Sequence, residues 1–194
     1  MVAALSVALA MSVVTQAEPF KEPGAYKIVW AHSPHQDARP ANTDIDMIVL
    51  HHTASSNLVG VVKWFENPTS RVSAHYTVGK DGSIVQHVST FRRAWHAGVS
   101  KDDFGRENLN RNSVGIEMVN VGDGKDPWPD VQVEAVRRLV AHLVRHRFPG
   151  TKQVVSHEYI ARPIGRKPDP KNFPWEKLEG LGVPLVYKMP PKNP

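Results

Sequence analysis

The chain has 194 residues, enough for one ordinary domain with short extensions and a sizeable core. A hydrophobic content of 41%, a charged content of 22% and a net charge of +5 fit a soluble globular protein with a polyanionic partner, which could be nucleic acid, an acidic membrane or an anionic cell wall. Cysteine is absent, which excludes disulfides, thiolate metal sites, cysteine nucleophiles and a lipid-modified N-terminal cysteine, so any metal must be held by His, Asp or Glu.

The chain opens on "MVAALSVALAMSVVTQAEPF", with no charged side chain before Glu18. This run is too short to span a bilayer, and "TQA" ending at Ala17 places small residues where a signal peptidase reads. Residues 1–17 therefore read as a secretory signal, atypical in lacking a basic start, and export to a periplasm or the exterior is expected. Residues 18–44, rich in Pro and polar side chains, read as an extended lead-in. The catalytic domain is expected over 45–180, followed by a tail over 181–194 whose end, "YKMPPKNP", reads as disordered.

Within the domain, "DMIVLHH" reads as a strand with Ile48 and Leu50 on one face and Met47, Val49 and His51 on the other. In "SSNLVGVVKWFENP", Ser55 or Ser56 is expected to cap a helix whose apolar face is Leu58, Val61, Val62 and Phe65. "AHYTVGKDGSIVQHV" reads as a hairpin turning at Lys80-Asp81-Gly82. In the strand "NSVGIEMVNV", Ile116 and Met118 bracket Glu117 on the opposite face. "PDVQVEAVRRLVAHLVRHRFPG" is the clearest helix, capped by Asp130, buried through Val136, Leu139, Val140, Leu143 and Val144, and stopped by Pro149-Gly150. "KQVVSH" is a further short strand. Strands alternating with helices around one hairpin imply an α/β domain: a single mixed β-sheet flanked by α-helices.

Chemistry-bearing residues fall at strand ends, where such sheets place their sites. They are His51 or His52, then Glu117, then a proline-stiffened loop holding His157, Lys167 and Asp169. A hydrolytic zinc site needs three protein ligands and one open position for water. Beside it, a carboxylate such as Glu117 accepts the water's proton, and a cation such as Lys167 stabilises an oxyanion.

The ordered motifs "IVLHHTA", "SAHYTVGKDGSIVQHV", "RAWHAG", "NRNSVGIEMVN" and "VVSHEYIARPIGRKPDPKNFPW" resemble those of the zinc-dependent N-acetylmuramoyl-L-alanine amidases, a family that also includes peptidoglycan recognition proteins. The resemblance covers residues 45 to 176. It implies Zn²⁺ bound by His51, His157 and Asp169, with Glu117 and Lys167 as the catalytic pair. The implied reaction is hydrolysis of the amide joining N-acetylmuramic acid to L-alanine in peptidoglycan or muropeptides. The spacing from His157 to Lys167 is slightly long for the recycling members, which makes Glu158 a fallback ligand. The rival readings are a non-catalytic peptidoglycan receptor and a zinc peptidase cutting within the stem peptide.

His52, pointing away from His51, is expected to pack or hydrogen-bond behind it. His75, Trp95 and His96 are candidates for substrate contact. His142 and His146, four apart on the long helix, read as a solvated face rather than a metal pair. No nucleic-acid motif is present, and no stable membrane insertion of the mature chain is expected.

Overall fold

A computed structural model describes residues 28–187. The expected signal segment and the last residues of the tail lie outside that range. The strands are β1 (Ile28–Trp30), β2 (Gln36–Ala38), β3 (Met47–His52), β4 (Tyr76–Val78), β5 (Ile84–Gln86), β6 (Arg92–Ala94), β7 (Ser113–Met118), β8 (Gln153–Ser156) and β9 (Leu185–Val186). The helices are α1 (Leu58–Glu66), α2 (Asp130–His142) and the single turn α3 (His157–Ile160). Seven strands form one mixed sheet in the order β1-β5-β4-β7-β3-β8-β9, and β2 pairs with β6 separately. The β4–β5 hairpin is antiparallel, while every other pairing of the large sheet is parallel.

The period-two alternation of the central strands decides what each face covers. Ile48 and Leu50 of β3, with Val114, Ile116 and Met118 of β7, pack onto Val133, Val136, Leu139 and Val140 of α2 and onto Trp175 and Leu178. Each such side chain, once fully buried, contributes roughly 1.5–3 kcal/mol before entropy is counted. On the other face Met47, Val49 and Val155 meet Ala97, Leu109, Tyr159 and Ile160. Towards the carboxyl ends of the strands that second face turns polar. Thr77, Glu117 and His51 stand side by side there, with Thr77 opposite Glu117 and Glu117 opposite His51.

Local signals differ from the expected ones in three places. Asn57, not Ser55 or Ser56, caps α1, its side chain accepting from the Gly60 N–H at 3.2 Å. Asp130 is the first residue of α2 rather than its cap, and Pro129 before it offers no side-chain bond. His157 does not close β8 but opens α3, because the Ser156 hydroxyl accepts from the Tyr159 N–H and turns the chain into a helix.

The described parts of the lead-in and of the tail both join the fold. β1 extends the sheet beside β5, β2 pairs with β6, and the Arg39 guanidinium is bonded to the carbonyls of Thr90, Asn110, Arg111 and Ser113. Beyond residue 180, β9 runs parallel to β8, and Tyr187 stacks on Trp175 with centroids 4.6 Å apart. Among the described residues no helix is long and apolar enough to cross a membrane.

Candidate metal centre

Three ligand-bearing side chains from distant parts of the chain converge at the carboxyl ends of β3 and β8. His51 stands near the end of β3 on the face opposite α2, His157 begins α3, and Asp169 is carried back by the 161–170 loop, whose Asp169 carbonyl accepts from the Glu158 N–H. The Nδ1 atoms of His51 and His157 are 3.0 Å apart, and Asp169 Oδ2 lies 3.3 Å from the first and 3.0 Å from the second. All three residues are buried. Among the described residues this is the group whose ligand atoms come together. Glu158 is not in it.

The donor set fits a small divalent cation. His157 Nε2 faces the Ala97 carbonyl at 3.1 Å, an acceptor that has no proton to give. Its Nε2 therefore carries the hydrogen, and in the neutral ring Nδ1 is a bare lone pair aimed at a carboxylate oxygen. Such electron pairs repel unless a cation or a proton lies between them. Ligands about 2.0–2.1 Å from a tetrahedral zinc ion stand roughly 3.3 Å apart, close to the separations found here.

Burial, with the neighbouring His157, lowers the His51 pKa to about 4. Burial alone would raise that of Asp169, but hydrogen bonds and charge from His157 and His51 hold it well below the ordinary carboxylate range. At His51 and Asp169 these shifts favour a neutral imidazole and an ionised carboxylate, the protonation states that bind metal.

Glu117 stands next to His51 on the adjacent strand, with Oε2 shut off from solvent and without a hydrogen-bond partner. Burial, reinforced by the charge of Asp169 and opposed by that of Lys167, pushes its carboxyl well above the usual range. Lys167 is exposed on the loop two residues before Asp169.

The remaining candidates surround this group or lie apart from it. His52 packs on the loop after β7, against Gly122, and is outside the ligand group. A Cβ at Gly122 would stand 1.8 Å from its Cε1, and its Nδ1 is buried without a partner. His75 has no exposed surface: its Nδ1 accepts from the Gly115 N–H at 2.9 Å, and its Nε2 donates to the Arg92 carbonyl at 3.0 Å. It therefore holds strands together and is out of reach of a substrate. The Trp95 indole is tied to Asp37 at 2.6 Å. The His96 ring lies behind His51, its Nδ1 3.1 Å from His51 Nε2, in a residue that is half-buried. Burial, with His51 and His75 beside it, keeps this imidazole neutral. His142 and His146 touch each other, centroids 5.4 Å apart, away from the convergent group.

Sequence reading passed over four residues that shape the centre. Asn110 Oδ1 accepts from the His96 and Ala97 N–H groups, and Ser113 bonds His96. Arg166 donates to the Ala97 and Val99 carbonyls, clamping the 161–170 loop onto the segment that carries His96. Arg39 pins Ser113 and Asn110 from the lead-in.

The profile of the N-acetylmuramoyl-L-alanine amidases matches residues 41–172. The chain is 32% identical over 177 residues to the 1,6-anhydro-N-acetylmuramyl-L-alanine amidase AmpD of Citrobacter freundii, covering 80% of this chain and 90% of that protein. A crystal structure of a selenomethionine AmpD derivative superposes with a TM-score of 0.70 at 30% identity, covering 79% of this chain and 93% of that one. The amidase AmiD of E. coli, solved with anhydro-N-acetylmuramic acid-L-Ala-D-gamma-Glu-L-Lys, gives a TM-score of 0.63 at 29% identity, covering 75% and 61% of the two chains. With this fold and this profile, the chain belongs to the N-acetylmuramoyl-L-alanine amidase family and is a hydrolase of that class.

Proposed function

We propose that this chain is a zinc-dependent amidase that removes the stem peptide from N-acetylmuramic acid in peptidoglycan or its soluble muropeptide fragments, with His51, His157 and Asp169 holding the ion. The observation that carries the reading is the triangle of His51 Nδ1, His157 Nδ1 and Asp169 Oδ2, with sides of 3.0–3.3 Å, beside an unpartnered buried oxygen of Glu117. A zinc ion bound there would polarise the lactyl carbonyl and acidify water.

The protein's own groups do the rest. Glu117 Oε2 has no hydrogen bond to surrender, so it is free to accept the attacking water's proton. The same carboxyl then delivers that proton to the departing amine of L-alanine. Its raised pKa makes the carboxylate a stronger proton acceptor than an ordinary glutamate. Lys167, whose charge reaches Glu117, stabilises negative charge developing on the attacked carbonyl oxygen. Substrates resembling the anhydromuramyl peptide in the AmiD complex are the favoured class. Export belongs to the same proposal, supported by the uncharged apolar run before Glu18.

The test is incubation of the zinc-loaded and chelator-treated protein with a defined anhydromuramyl tripeptide, with products identified by mass. Free tripeptide and free anhydro-N-acetylmuramic acid, formed only with metal, are expected. Cleavage within the stem, or intact substrate under both conditions, would overturn the reading. N-terminal sequencing of the protein from its native host checks export: a mature chain beginning near Glu18 is expected, and an intact Met1 on cytosolic protein would refute it.

A further inference from the structure

The ring of His96 lies between Gly115 of β7 and the His51 ring of the candidate centre. Its two nitrogens are both engaged. Nδ1 is 3.1 Å from His51 Nε2, and Nε2 is 3.2 Å from the Ser113 hydroxyl. That hydroxyl is 2.6 Å from the Leu109 carbonyl.

The direction of every bond in this chain follows from its last member. A carbonyl only accepts, so the Ser113 hydroxyl donates to Leu109. Its oxygen is then left to accept, so His96 Nε2 carries hydrogen. In the neutral ring Nδ1 is therefore a lone pair and accepts from His51 Nε2–H. His51, neutral in its turn, is left with a bare Nδ1 turned towards His157 and Asp169.

The backbone makes room for this arrangement. A Cβ at Gly115 would stand 2.4 Å from His96 Cγ and 2.6 Å from its Nδ1, so any larger residue would expel the ring. Asn110 fixes the His96 backbone N–H at 3.1 Å, and Arg39 holds the carbonyls of both Asn110 and Ser113.

We propose that His96 is a positioning residue for the metal centre: with Ser113 and the Leu109 carbonyl it forms a one-way hydrogen-bond relay that presents the Nδ1 lone pair of His51 to the ion. The inference rests on the metal reading above. His157 is aligned by a direct bond from Nε2 to the Ala97 carbonyl, so the two histidines reach the same state by different supports. An imidazole supporting a ligand histidine both fixes its ring and raises its basicity, which is worth about 10–100-fold in metal affinity.

Zinc affinity is measured by competition with a chromophoric chelator for the wild-type chain and for two variants, with folding checked by circular dichroism. His96→Phe keeps the ring's bulk and removes the acceptor; His96→Asn keeps an acceptor oxygen at the Nδ1 position. Phe should weaken zinc binding by about 10–100-fold, and Asn should recover most of the loss. Equal affinity of His96→Phe and wild type would overturn the relay while leaving the metal reading intact. A wild-type chain that takes up no zinc overturns both. Should His96→Phe fail to fold, two-bond ¹H–¹⁵N spectra of the zinc-loaded wild type decide the matter. A proton on Nε2 of both His51 and His96 is expected, and a proton on Nδ1 of either refutes the relay.

Discussion

His51 and His157, 106 positions apart in sequence, bring their Nδ1 atoms to 3.0 Å with Asp169 Oδ2 closing the triangle. Without a cation, this cluster crowds lone pairs in a buried space. Metal should therefore stabilise the fold as well as serve the chemistry. At free zinc a thousandfold above its dissociation constant the gain is about 4 kcal/mol, seen as a higher Tm that EDTA reverses. His51→Ala should erase both this shift and the activity. A chelator-insensitive Tm in the wild type would contradict the site.

Glu117 is next to His51 but outside the triangle. Glu117→Ala should keep stoichiometric zinc while turnover falls by about 10²–10⁴-fold. Zinc content and turnover measured on the same preparation check this, and undiminished turnover would remove Glu117 from the mechanism.

Lys167→Met should lower turnover by about 10²–10³-fold, the usual cost of losing one group that stabilises an oxyanion. Zinc affinity should hardly change, because the side chain is exposed and outside the ligand set. A parallel loss of metal would instead assign Lys167 to the loop's structure.

Asp46, buried just before β3, binds Arg106 and Lys152, each at 2.9 Å, and accepts from Asn112 at 2.9 Å. Asp46→Ala strands these donors and should cost about 2–4 kcal/mol, discounted because Arg106 and Lys152 are partly in water. The measurement is the urea midpoint, which should fall at unchanged m-value.

His87 gives a pH dependence independent of the centre. Its Nδ1 donates to the Ala31 carbonyl at 3.1 Å and its Nε2 accepts from Thr77 at 2.9 Å, a neutral ring whose pKa burial lowers to about 4. Between pH 6.5 and 4 the unfolded chain binds the extra proton, so stability falls as pH drops through this window. The slope is at most about 1.4 kcal/mol per pH unit. His87→Gln, which cannot titrate, should flatten it by that amount in urea titrations at stepped pH. An unchanged slope would mean that His87 is charged in the fold.

Much of the centre was legible because alternation along a strand is geometry. Once "IVLHH" is a strand with Leu50 inward to α2, His51 must emerge on the opposite face, and Glu117 between Ile116 and Met118 likewise. The supports were not legible. His96 and Gly115 are 19 positions apart, and only folding reveals that the room left by the glycine is filled by that ring. Arg39, flanked by Ala38 and Pro40, has no periodicity to announce that its guanidinium will be enclosed by four carbonyls. β1 and β2 are three residues each, too short for an alternating pattern to rise above a proline-rich background. At α1, Ser55, Ser56 and Asn57 all qualify as caps, and the winner is set by where the strand lets the chain turn.

The row Thr77–Glu117–His51 has a consequence for how the protein matures. A slip of β3 by one residue would set Leu50 or His52 beside Glu117 in place of His51 and would turn His51 itself to the α2 face, away from His157 and Asp169. Ion capture at the proposed centre would thus be a proofreading event, open only to a chain whose strands have annealed in the correct phase. Zinc uptake during refolding should accordingly lag behind the appearance of sheet, and its yield should count the correctly assembled molecules.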